Sequence, residues 1–145
     1  MSHESSNTSP VLEKLGQIFE LEMAGITRYL HYSFMIMGHN RIPIQKWFRD
    51  QANESMQHSI IIGEKITSLG GHPPLLAAIV HDTKTHSVDE ILRESLSFEK
   101  VALIKYKELL VLAGDDIALE ELARSFIRSE TEHIEEVEKM VKKDH

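Results

Sequence analysis

Phe126-Ile127-Arg128-Ser129-Glu130-Thr131-Glu132-His133-Ile134-Glu135-Glu136-Val137 has apolar residues at steps of three and four, the spacing that keeps side chains on one face of a helix. That face runs Phe126, Glu130, His133, Val137, Met140. A carboxylate and an imidazole one turn apart therefore stand where a core stripe is normally apolar. Three other segments repeat the pattern. One stripe reads Leu15, Phe19, Glu22, Ile26, Tyr29, and another reads Leu92, Leu96, Glu99, Leu103, Tyr106, Leu110. In both, a single glutamate has an apolar residue three before it, another four after and a tyrosine seven after. The remaining stripe reads Phe48, Gln51, Ser55, His58, Ile62, Ile66, Leu69, with His58 in the place that matches His133.

Helical periodicity extends outward from these stripes and leaves no run of alternating strand residues. A first helix is expected from Ser9, with Pro10 in its first turn, to near Gly38, because a missing N–H is tolerated there. A second runs from about Pro43 to Gly70-Gly71, a glycine pair suited to a C-terminal stop. Ser87-Val88-Asp89-Glu90 has the form of a capping box and opens a third helix that stops at Gly114; Asp115 or Asp116 caps the fourth. The connections are thus short, long and short. The long one, from Gly71 to His86 with Pro73-Pro74, is too irregular for a helix. Two short loops make antiparallel pairs, and one long crossover between the second and third helices is the connection of ferritin-like bundles. The expected fold is an all-α, antiparallel four-helix bundle of that kind over residues 10–145, preceded by a mobile polar tail, residues 1–9.

Composition narrows the chemistry. A chain of 145 residues is the size of one domain and can bury roughly two-thirds of its unfolded surface. A net charge of -7 and a pI near 5.7 argue against a nucleic-acid footprint. With no cysteine, disulfides, thiolate zinc sites and a thiol nucleophile are excluded. The first ten residues have no apolar signal core, and no apolar run approaches the roughly twenty residues that span a bilayer. A cytoplasmic protein is expected.

Ionised carboxylates in an apolar interior cost several kcal/mol each even after relaxation, so Glu22, Glu99 and Glu130 at one level call for compensating charge. Two divalent cations would supply it, held by oxygen and imidazole; such donors suit iron or manganese and are tolerated by zinc. A lone glutamate on an apolar stripe is more often a surface residue or half of a salt bridge. Two glutamates in matching contexts, a Glu-x-x-His and a further histidine favour a metal site over that alternative.

These residues resemble those of the bacterioferritins. Leu21-Glu22-Met23-Ala24-Gly25-Ile26-Thr27-Arg28-Tyr29 is similar to their first-helix motif, Glu54-Ser55-Met56-Gln57-His58 to the second, Phe98-Glu99 to the third and Ser129-Glu130-Thr131-Glu132-His133-Ile134 to the last. The resemblance implies a di-iron site with Glu22, His58, Glu99 and His133 as ligands and Glu130 as a bridge. It departs at Ser55, where the family has a second bridging glutamate. Glu54 is displaced from the stripe by about 100°; in the family its position, with that of Gln51, faces the cavity and can hold iron in transit. One bridge fewer weakens metal at His58, so the resemblance implies metal binding but leaves open ferroxidase activity, the oxidation of ferrous iron by dioxygen or peroxide. It also implies Tyr29 as an electron donor near the iron, mirrored by Tyr106, against a plain core role for both. Met56 falls where the family ligates haem b across a two-fold dimer, against an interface-packing role. His31, His39, His72, His81 and His86 have no ligand spacing.

The function expected from the resemblance is uptake of ferrous iron, its oxidation, and storage or detoxification in a homo-oligomer, from a two-fold dimer to a shell. Bacterioferritins usually carry a short fifth helix, and the chain stops at His145 soon after the fourth, which speaks against their twenty-four-subunit shell. A DNA-protecting mini-ferritin with a smaller, twelve-subunit shell is one alternative, although such proteins normally place iron between subunits. A subunit without enzymatic activity, binding haem or metal at a degraded site, is another.

Overall fold

The structure is a computed structural model that describes residues 9–142. Of the expected tail, residues 1–8 lie outside the described residues. The order is α1 (Pro10–Met35), α2 (Arg41–Ser68), α3 (Val88–Ala113) and α4 (Ile117–Val141), with no strand among the described residues. Two compact units divide the chain, one ending at Thr83 and the other beginning at Lys84. The first holds the α1–α2 pair and the second the α3–α4 pair.

Local chemistry fixes the helix ends. The Ser9 hydroxyl accepts from the Leu12 N–H and the Ser87 hydroxyl from the Glu90 N–H, each at 3.1 Å. The Asp116 carboxylate accepts from the Leu119 N–H at 3.1 Å, which selects Asp116 over Asp115 as the cap of α4. Such caps contribute typically about 1 kcal/mol. At the end of α2, Gly70 has φ 82°, and the N–H groups of Gly71 and Gly70 donate to the carbonyls of Ile66 and Thr67. This is a Schellman stop, whose left-handed residue favours glycine.

Two boundaries differ from expectation. α1 ends at Met35 rather than near Gly38. The Arg41 guanidinium donates to the carbonyls of Phe34 and Ile36, satisfying orphan acceptors before Gly38, at φ 100°, turns the chain. α2 starts at Arg41, two residues before Pro43, which is then in the first turn where its missing N–H is harmless.

In the first unit the helices run antiparallel. Contacts pass in opposite order along the two segments, from Phe19 against Gly63 to Glu22 with His58 and Tyr29 with Phe48. Leu15, Ile18, Phe48, Ile62 and Ile66 are almost fully buried. Residues 71–86 contain no helix, as expected. Part of that crossover is pinned to α1: the Ala78 N–H donates to the Glu20 carbonyl at 3.0 Å, and Pro74 lies beside Gly16. In the second unit, the Tyr106 ring packs at a tilt against Phe126 and Lys100 pairs with Glu138. That order makes α3 and α4 antiparallel too, over a core that includes Ile91, Leu109, Leu119 and Val137.

Two residues assigned to inward stripes are exposed, Leu69 and Met140. Both stand at the C-terminal ends of their helices, Leu69 as the cap of α2 and Met140 next to the last residue of α4.

Candidate metal centre

In the α3–α4 unit, the step of three between Glu130 and His133 brings a carboxylate and an imidazole to the face of α4 that meets α3. α3 contributes Glu99, with no exposed surface; Glu130 is 6% exposed and His133 is half-buried. One donor atom from each of the three lies within 4.8 Å of the others, and Glu130 Oε2 is 4.0 Å from His133 Nδ1. Donors bound about 2.1 Å from one ion lie roughly 3–4 Å apart, so small side-chain movements close the set on a cation. Two carboxylates and one imidazole form a donor set that fits ferrous iron, manganese or zinc.

The α1–α2 unit holds a different arrangement. Glu22 is 6% exposed, and its Oε1 is 3.6 Å from His58 Nδ1. The other ring nitrogen, Nε2, is 3.6 Å from Glu54 Oε1. Ser55 is buried and faces inward, as its place on the stripe requires. The Ser55 carbonyl accepts from the Ser59 hydroxyl at 2.9 Å. The contact between Glu54 and His58 was not drawn from the stripe. The signal for it was the i,i+4 spacing, which brings side chains together on a helix even when one of them lies off the buried face.

Of the expected site residues, Glu22, Glu54 and His58 thus come together in one unit, and Glu99, Glu130 and His133 in the other. Tyr29 is buried, with its ring centroid 6.3 Å from that of Phe48 at 21°. It stands about 10 Å from Glu22 along the helix axis. Tyr106 is buried against Phe126, with centroids 5.4 Å apart. Both tyrosines are core residues by packing. Met56 is 48% exposed, near the exposed Ile60 on α2, so it does not fill this chain's own core. His31, His39, His72, His81 and His86 are all exposed.

The sequence profile of the ferritin-like domain matches residues 12–145, nearly the whole chain. The chain belongs to the ferritin-like family. Its fold is the ferritin-like four-helix bundle with one long crossover between α2 and α3, similar to several solved structures. A ferritin-like, diiron-carboxylate protein from Bacillus anthracis is 24% identical with a TM-score of 0.84, over 98% of this chain and 100% of that one. The dodecameric thioferritin of Bacteroides fragilis, a bacterioferritin-related protein, is 23% identical with a TM-score of 0.82, over 89% of this chain and 82% of that one. Dps from Staphylococcus aureus is 18% identical with a TM-score of 0.88, over 97% of this chain and 100% of that one. No curated protein matches this ferritin-like chain in sequence. No helix among the described residues is long and apolar enough to cross a membrane.

Proposed function

We propose that this ferritin-like chain takes up ferrous iron at two carboxylate–imidazole half-sites of unequal strength, for storage or detoxification in a cytoplasmic homo-oligomer. The observation that carries the proposal is the convergence of Glu99, Glu130 and His133 within 4.8 Å, two of them buried carboxylates. Burying like charges together is unfavourable unless a cation compensates them, and iron is such a cation. Glu22 and His58 supply the weaker half-site. The family match and the diiron-carboxylate relative support iron over zinc or manganese.

Oxidation that takes two electrons into dioxygen or peroxide at once, without releasing a radical, needs chains loaded with two ions, because each ferrous ion gives up one electron. Ser55 leaves the α1–α2 half-site one carboxylate short, so oxidation is slow relative to binding. Tyr29 is the proposed one-electron donor near that half-site. Exposed Met56 is the side chain that would hold haem, against a second copy of the chain. Iron uptake at the half-sites does not require haem.

A mini-ferritin-like role in stress protection is the second reading. Full coverage of the Staphylococcus aureus Dps chain at a TM-score of 0.88 favours it. Native mass and DNA retardation separate the two readings.

Thermal melts test the main proposal. A ligand that binds only the folded state adds about 2.7 kcal/mol at a hundredfold excess over its Kd, and for a chain of this size each kcal/mol raises Tm by roughly 2–8 °C. Ferrous iron under anaerobic conditions, or zinc as its redox-inert substitute, is expected to raise Tm by at least several degrees. No shift at saturating metal would remove the basis of the proposal.

A further inference from the structure

α2 and α4 carry the same residue types in exchanged order. α4 reads Ser129-Glu130-x-x-His133 and α2 reads Glu54-Ser55-x-x-His58. The exchange moves the glutamate from three residues before the histidine to four, a rotation of about 100° around the helix axis. Glu130 is consequently buried beside Glu99 and His133. The Glu54 side chain is instead 33% exposed and lies at Nε2 of His58, while Glu22 lies at Nδ1 of the same ring.

A neutral imidazole has one N–H and one lone pair, so the two carboxylates cannot both share a cation with this ring. Glu22, at 6% exposure, has the greater need of a compensating charge, since the penalty for an ionised group grows as water is removed. The distance permits it, and because Glu54 Oε1 stands at the same 3.6 Å from Nε2, burial makes the choice. Two donors about 2.1 Å from one ion at a tetrahedral angle lie about 3.4 Å apart, and Glu22 Oε1 is 3.6 Å from His58 Nδ1. With the Nδ1 lone pair directed at the cation, the ring proton is on Nε2, facing the Glu54 carboxylate at 3.6 Å, which a small side-chain movement brings into hydrogen-bond range. Histidines that bind metal usually donate their second N–H to such a partner, which fixes the tautomer and raises the basicity of the ligating nitrogen.

We propose that Glu54 is a positioning residue rather than a ligand: it holds His58 in the Nε2–H tautomer, so that Nδ1 faces the cation bound with Glu22. This rests on the proposed function, because it is the cation that takes the Nδ1 lone pair and leaves the ring proton on Nε2. The α1–α2 half-site then offers two ligands and an outer acceptor, whereas the α3–α4 half-site offers three ligands.

The test combines nitrogen-detected tautomer measurement with zinc binding, both on the full chain. Multiple-bond proton–nitrogen spectra of the zinc-loaded chain are expected to show zinc on Nδ1 and the proton on Nε2 of His58. Glu54→Gln, whose amide oxygen accepts the same bond, is expected to keep it, and Glu54→Ala to give a mixture of tautomers. In calorimetric zinc titrations the weaker step is expected to lose about tenfold to a hundredfold in affinity in Glu54→Ala. Glu54→Gln is expected to recover most of that loss, with the tighter step and the helical circular dichroism unchanged in both variants. A dominant Nδ1–H form in the wild type overturns the proposal. So does a loss in Glu54→Gln as large as in Glu54→Ala, which would make the carboxylate itself a ligand. Absence of any zinc binding by the wild type would defeat the functional proposal instead, whereas zinc bound with the proton on Nδ1 would defeat this one alone.

Discussion

Glu99→Gln is expected to raise the melting temperature of the metal-free chain and to abolish most of the rise that metal brings. Glutamine keeps the shape of the fully buried Glu99 side chain but removes one of two carboxylates that converge within 4.8 Å. At a separation of about 4.8 Å, with an effective dielectric near 20, the like-charge repulsion relieved is on the order of 3.5 kcal/mol, several degrees in Tm. The same substitution takes away a charged ligand. Metal affinity at the α3–α4 half-site is expected to fall by more than the roughly hundredfold that loss of an outer partner can cause. Melts with and without zinc read both effects on one variant. Opposite signs distinguish a compensated metal site from a buried salt bridge, in which removing one charge destabilises the chain under all conditions.

The second large effect concerns Ser55. Ser55→Glu creates a Glu-x-x-His pair in α2 that reproduces Glu130 and His133, at a buried position that already faces inward. The α1–α2 half-site then gains a third ligand whose charge a cation compensates. Tighter binding in the weaker zinc step and a severalfold faster ferrous oxidation, followed by absorbance, are the expected results, because more chains carry both ions at a given iron concentration. Unchanged occupancy with an equal or slower rate would mean that Ser55 does not limit the site.

The three inward glutamates were legible because a helix repeats its faces every three or four residues and a buried carboxylate breaks an otherwise apolar stripe. Glu22, Glu99 and Glu130 are all buried where the stripes put them. The caps at Ser9 and Ser87, and that of α4 at Asp115 or Asp116, were legible for a similar reason, since a short oxygen-bearing side chain ahead of a periodic run has few other uses. Glu54 was assigned among the metal residues but with its reach toward His58 unseen. A stripe describes where Cα–Cβ bonds point, and a glutamate is long enough to meet a neighbour one turn away from off that stripe. The closing of α1 by Arg41 and the anchoring of the crossover through Ala78 and Glu20 were out of reach as well. Both depend on backbone carbonyls that every residue carries, so no residue type announces them.

The most direct measurement is the metal content of the purified chain after anaerobic equilibration with ferrous iron and desalting, with the same measurement on Glu99→Gln. About one ion retained per wild-type chain, a second taken up only at higher free iron, and the retained ion lost in Glu99→Gln are the expected results. Wild-type chains that retain no iron, or a Glu99→Gln variant that retains as much as the wild type, would contradict the assignment of Glu99, Glu130 and His133 as the stronger metal site.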